Sequence, residues 1–69
     1  MAYRKTTVQF ACIAEARAHF YKQGYETVDT GTDTAIMTKH LDGRKVGEVI
    51  INREAFLTVV AEKLELESV

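Results

Sequence analysis

Asp42 and Gly43 stand between two eight-residue runs, TAIMTKHL (34–41) and RKVGEVII (44–51), both rich in apolar and β-branched residues. An Asp-Gly pair tolerates the positive φ angles that a tight hairpin demands, so the middle of the chain is expected to form two antiparallel strands. Register then decides which side chains share a face, because a slip of one residue exchanges the two sides. A two-residue loop sets odd positions against even ones and puts Met37 beside Glu48. A three-residue loop ending in a left-handed Gly43 pairs odd with odd. It gathers Ala35, Met37, Leu41, Gly47, Val49 and Ile51 on one face, and Ile36, Thr38, His40, Val46, Glu48 and Ile50 on the other. The odd-with-odd arrangement separates polarity better and is the one expected.

Before the hairpin, YETVDT (25–30) is short and β-branched and is followed by Gly31-Thr32-Asp33, which predicts a third strand and a turn. Upstream, TTVQFACIAEARAHFYKQG predicts a helix. Thr6 and Gln9 resemble a capping box, Thr7 is an alternative N-cap, and Gly24 sits where a left-handed residue ends a helix. Phe10, Ile13, Phe20 and Tyr21 share its apolar side, and its alanines allow close approach to a sheet. Downstream, Asn52 is a good N-cap for REAFLTVVAEKLELE, whose Phe56, Leu57, Val60 and Leu64 form a helical stripe. The expected fold is therefore α+β, in the order α-β-β-β-α: a three-stranded antiparallel meander with two helices on one face.

With 69 residues the chain has room for one domain, taken as residues 1–69, with no repeat, linker or proline inside it. So short a chain hides only about 60% of its unfolded surface on folding, which leaves one small core and no large enclosed cavity. Phe20, Phe56, Val60 and Leu64 are expected to pack on Met37, Val49 and Ile51.

Charge disfavours a protein that grips a polyanion through its overall field. The formal net charge is −1, and it alternates along the chain: +3 over residues 1–25, −3 over 26–43, +2 over 44–53 and −3 thereafter. Cys12 is the single cysteine, so no internal disulfide can form, which suits a reducing compartment. No apolar run reaches the ~18 residues of a membrane span, and the start lacks a secretory signal's hydrophobic stretch. A cytoplasmic location is expected.

Chemistry-bearing residues are sparse. Cys12, Glu15 and His19 can share a helix side, but only His40, on a distant strand, remains as a fourth ligand, so neither metal nor other cofactor is expected. No nucleophile stands in a recognisable motif with a base and an orienting group, and the Gly31 turn lacks a phosphate loop's glycines and lysine. The reading is non-catalytic. Arg17 is unusual: it falls within the apolar arc of the first helix, either as a stem lying on apolar surface or as an arginine offered to a partner.

The even face of the hairpin carries the functional expectation. If both helices cover the odd face, Ile36, Val46 and Ile50 have no cover, and an apolar patch of this kind commonly marks an interface. The expected function is a small protein-binding domain, a homodimer or an inhibitor or adaptor on a larger partner, using Ile36, Val46 and Ile50 with His40 and Arg17 at the margin.

The order α-β-β-β-α, with YETVDTGT followed by HLDGRKVGE, is similar in layout to double-stranded-RNA-binding domains. That resemblance implies nucleic-acid binding as the alternative, through Arg4, Lys5, Arg17, Lys22, Arg44, Lys45 and Arg53. It departs from the family's pattern at the last helix, where a lysine-rich start is replaced by Asn52-Arg53-Glu54-Ala55.

Overall fold

A computed structural model describes residues 2–67. Strand β1 (Tyr3–Phe10) leads into helix α1 (Ile13–Tyr21), and four strands follow: β2 (Glu26–Thr30), β3 (Thr34–Leu41), β4 (Arg44–Ala55) and β5 (Thr58–Leu66). All pair antiparallel in one sheet of order β1-β5-β4-β3-β2. The expected α-β-β-β-α fold with two helices is thus replaced by a β-rich fold with one short helix.

Both errors lie in the outer segments and share a cause. Thr6, Thr7, Val8 and Phe10 belong to β1, and the helix starts only after Cys12, whose side chain makes no capping bond. The stretch from Arg53 onward is strand, turn and strand, although it is full of good helix formers. β1 and β5 pair with each other in unbroken register from Tyr3↔Leu66 to Phe10↔Val59. Partners so distant in sequence can override local helix propensity. The double-stranded-RNA-binding layout falls with the two-helix reading.

The hairpin signal is realised, with a different device setting its register. Asp42 and Gly43 both have positive φ, 53° and 78°, and Leu41 pairs with Arg44 across a two-residue loop. That loop alone would mix the faces. A β-bulge at Val46 corrects it: His40 pairs with Lys45, Lys39 with Gly47, and from there odd meets odd through Met37↔Val49 and Ala35↔Ile51.

The core lies between α1 and one side of the sheet. Ala16, Phe20, Tyr25, Ala35, Met37, Val49, Ile51, Val59 and Ala61 are buried, with Phe10 and Ile13 packed against them. Ala16 lets the helix approach β3 and β4 closely, and Gly24, at φ 97°, ends it as expected. Phe20, Met37, Val49 and Ile51 are core as anticipated. Phe56 is instead 86% exposed, and Leu64 and Val60 face away from α1.

Candidate functional site

With α1 on one side, the other side of the sheet has no helix over it among the described residues. Alternation along each strand sends Ile36 and Thr38 of β3, Glu48, Ile50 and Asn52 of β4, Val60, Glu62 and Leu64 of β5, and Tyr3, Lys5 and Thr7 of β1 to this open face. Ile36 and Ile50 are direct cross-strand partners at its centre. Ile50 and Leu64 are each 40% exposed and Tyr3 is 61% exposed, so apolar surface runs from β3 to the β1 edge.

The charges on this face are matched within it. Lys45 Nζ lies 3.0 Å from Glu48 Oε1, and Lys5 Nζ lies 3.0 Å from Glu62 Oε2. Each exposed pair adds only about 0.2–1 kcal/mol to stability. Their larger effect is to leave a nearly neutral surface in which the paired carboxylates stand beside apolar side chains, Glu62 next to Ile50 and Glu48 next to Leu64.

The five anticipated contact residues do not all assemble. Ile36 and Ile50 lie together on the open face. Val46, displaced by the bulge, lines a shallow recess with Lys39, Leu41, Arg44, Glu65 and Leu66 near the Asp42-Gly43 turn. His40 is exposed beside Lys45 at the same end of the sheet. Arg17 is on α1, across the sheet from the isoleucines, and its Nε donates to Thr27 Oγ1 at 3.2 Å. Its stem lines a recess with Tyr21 and Met37, in keeping with an arginine laid on apolar surface.

The helix side beyond the end of α1 is closed by Tyr25. Its ring crosses Gly47, where a side chain would collide with the hydroxyl, and that hydroxyl donates to Glu65 Oε2 at 2.8 Å. Lys39 Nζ lies 5.8 Å from the ring centroid and 4.0 Å from Glu65 Oε2. Burial first, then the bond to Glu65 and that carboxylate's charge, hold the phenol far above its ordinary pKa of 10.0. The trio is a latch over the sheet, with the phenol committed to it as a neutral donor.

No protein-family model matches the chain, and no curated protein or solved structure matches it.

Sequence reasoning missed the β4–β5 turn. Phe56 and Leu57 form its tip, 86% and 59% exposed, and Leu57 has φ 60°. A leucine in left-handed backbone costs about 1–2 kcal/mol, so neither burial nor backbone preference explains an apolar pair at this position. The signal available was the β-branched Thr58-Val59-Val60 run followed by the Leu64-Glu65-Leu66 alternation. Among the described residues, no helix is long and apolar enough to cross a membrane, and no three His, Cys, Asp or Glu side chains cluster as metal ligands. His19 Nε2 is 3.0 Å from Gln23 Nε2, and Cys12 is exposed one residue before α1.

Proposed function

We propose that this chain is a small non-catalytic protein-binding domain, acting on a larger partner as an inhibitor or adaptor, and that the partner docks on the open sheet face. One observation carries the reading: Ile36 and Ile50 are paired at the centre of a helix-free face whose apolar surface continues diagonally to Leu64 and Tyr3, and the charges interleaved with it are neutralised within the face. Such a layout suits a partner surface with an apolar centre and little net charge. A cytoplasmic setting is part of the proposal, because an exposed free thiol such as Cys12 keeps its reduced form there.

Nucleic-acid binding is the weaker reading. Of the seven basic residues considered for it, Arg4, Lys5, Lys45 and Arg53 each contact a carboxylate, on Glu67, Glu62, Glu48 and Asp33 respectively. A phosphate backbone would have to displace those partners one by one.

The test is affinity capture from cells of the source organism, comparing the native sequence with Ile36→Asp and Ile50→Lys, each checked by circular dichroism. A protein held by the native chain and lost with both folded variants supports the face. Retention of every captured protein by both folded variants contradicts it. Capture of nucleic acid that falls steeply with salt would favour the weaker reading.

A further inference from the structure

The sheet has two free edges, and they are built differently. β2 is five residues long, breaks register between Thr27 and Asp29, and carries Glu26 and Asp29. Short, bulged and charged strands are the usual protection of an edge against pairing. β1 lacks the shortness and the bulge: it holds unbroken register over eight residues, with no proline. Its two cations are exposed but paired within the chain, Arg4 to Glu67 at 3.2 Å and Lys5 to Glu62 at 3.0 Å. α1 lies mainly over β3 and β4 and meets β1 at its Phe10 end, where the ring packs on His19 and Phe20.

The direction of the free backbone groups follows from one bond. The Glu67 N–H donates to the Ala2 carbonyl at 2.9 Å, so residue 2 faces β5. Antiparallel alternation then turns Arg4, Thr6, Val8 and Phe10 toward β5 and leaves the N–H and C=O of Tyr3, Lys5, Thr7 and Gln9 pointing outward. We propose that this edge pairs with β1 of a second copy of the chain, antiparallel about a two-fold axis at Thr6.

Self-complementarity singles out that occupant and that register. Even positions of β1 face the helix side and odd positions the open side, so facing residues must have matching parity. Centring on Thr6 sets Lys5 opposite Thr7 and Tyr3 opposite Gln9 in both directions, and all four outward residues then find a hydrogen-bonding partner. Thr6 meets Thr6, a favourable cross-strand pair, while Arg4 meets Val8. The two Arg4 side chains lie four positions apart, and the two Lys5 side chains, diagonal neighbours on the open face, are each neutralised by Glu62 of their own copy. The product is one continuous ten-stranded sheet whose two open faces join. The inference stands apart from the docking reading, since it uses backbone groups at the edge and none of the face's isoleucines.

The test is sedimentation of the intact chain with amide exchange by NMR. The native protein is expected at twice the 7.8 kDa chain mass at high micromolar concentration. The Lys5, Thr7 and Gln9 amides should exchange slowly there and faster on dilution, while the Thr6 and Val8 amides stay slow throughout. Thr7→Pro deletes an N–H aimed outward and none aimed at β5, so it should be a folded monomer. Ile50→Lys should remain a dimer. A monomeric native chain, a folded Thr7→Pro dimer, or fast outward amides in a native dimer each overturn the proposal. If Thr7→Pro loses its sheet signal, the native amide pattern alone decides.

Discussion

Tyr25 and Gly47 depend on each other. The ring can cross β4 because residue 47 lacks a Cβ, and only there does its hydroxyl reach Glu65. Gly47→Ala should push the ring out of a fully buried place and cost about 1–3 kcal/mol, the usual penalty for overpacking. Urea unfolding followed by circular dichroism measures it. Ionisation of the same phenol adds a pH dependence. The folded pKa is raised, so Tyr25's contribution is intact below the unfolded value of 10.0 and is lost as pH rises toward the folded one. Above about pH 10 stability should fall by up to about 1.4 kcal/mol per unit from this group, and Tyr25→Phe should remove that component. Equal slopes in the native and Tyr25→Phe proteins would contradict the latch. At the other end of β4, Leu57→Gly should relieve about 1–2 kcal/mol of left-handed strain and give back about 0.4–1 kcal/mol in unfolded-chain entropy. A small rise in melting temperature is the expected outcome.

At the level of elements, legibility followed sequence distance. The β3–β4 hairpin was readable because Asp42-Gly43 and two flanking runs carry all its information locally. Its sorting of Ala35, Met37, Val49 and Ile51 against Ile36, Thr38, Glu48 and Ile50 also came through, but the Val46 bulge, and not the turn, sets the register and takes Val46 off the expected face. α1 was readable from Ile13 to Gly24, where alanine spacing and a terminal glycine agree. β1 and β5 were not, because each takes its strand form from the other and the paired residues lie at opposite ends of the chain. In REAFLTVVAEKLELE, stripes spaced three and four apart simulated a helix that the β1 and β4 pairings exclude. The error reverses a mutational expectation. As a helical core residue, Phe56 would cost about 3–5 kcal/mol on truncation to alanine. As an exposed turn residue, Phe56→Ala should stay within about 0.5 kcal/mol of the native chain. Thermal unfolding of that one variant separates strand–turn–strand from helix.

For the whole molecule, a single short helix can seal only one side of a five-stranded sheet. Part of the open face was legible, since parity alone sets Ile36 and Ile50 on the same side of the hairpin; their direct pairing comes from the register the bulge creates. The departure of Val46 was not, because a bulge leaves no mark in composition. Arg17 also read ambiguously, since helical phase gives an arc but not the Thr27 hydroxyl that receives its Nε–H. Adjacent residues of β4 look into different worlds: Ile51 is fully buried beneath α1, and Ile50 is 40% exposed on the open face. Thermal melts of Ile50→Lys and Ile51→Lys, run side by side, test this contrast most directly. Ile50→Lys should remain cooperative and lose at most about 1 kcal/mol, or about 4–8 °C for a domain of this size. Ile51→Lys should fail to fold, because an unpaired buried charge costs several kcal/mol against a total stability of about 5–15. Unfolding of both variants would mean that the second face is also covered, and the account of an open docking surface would be wrong.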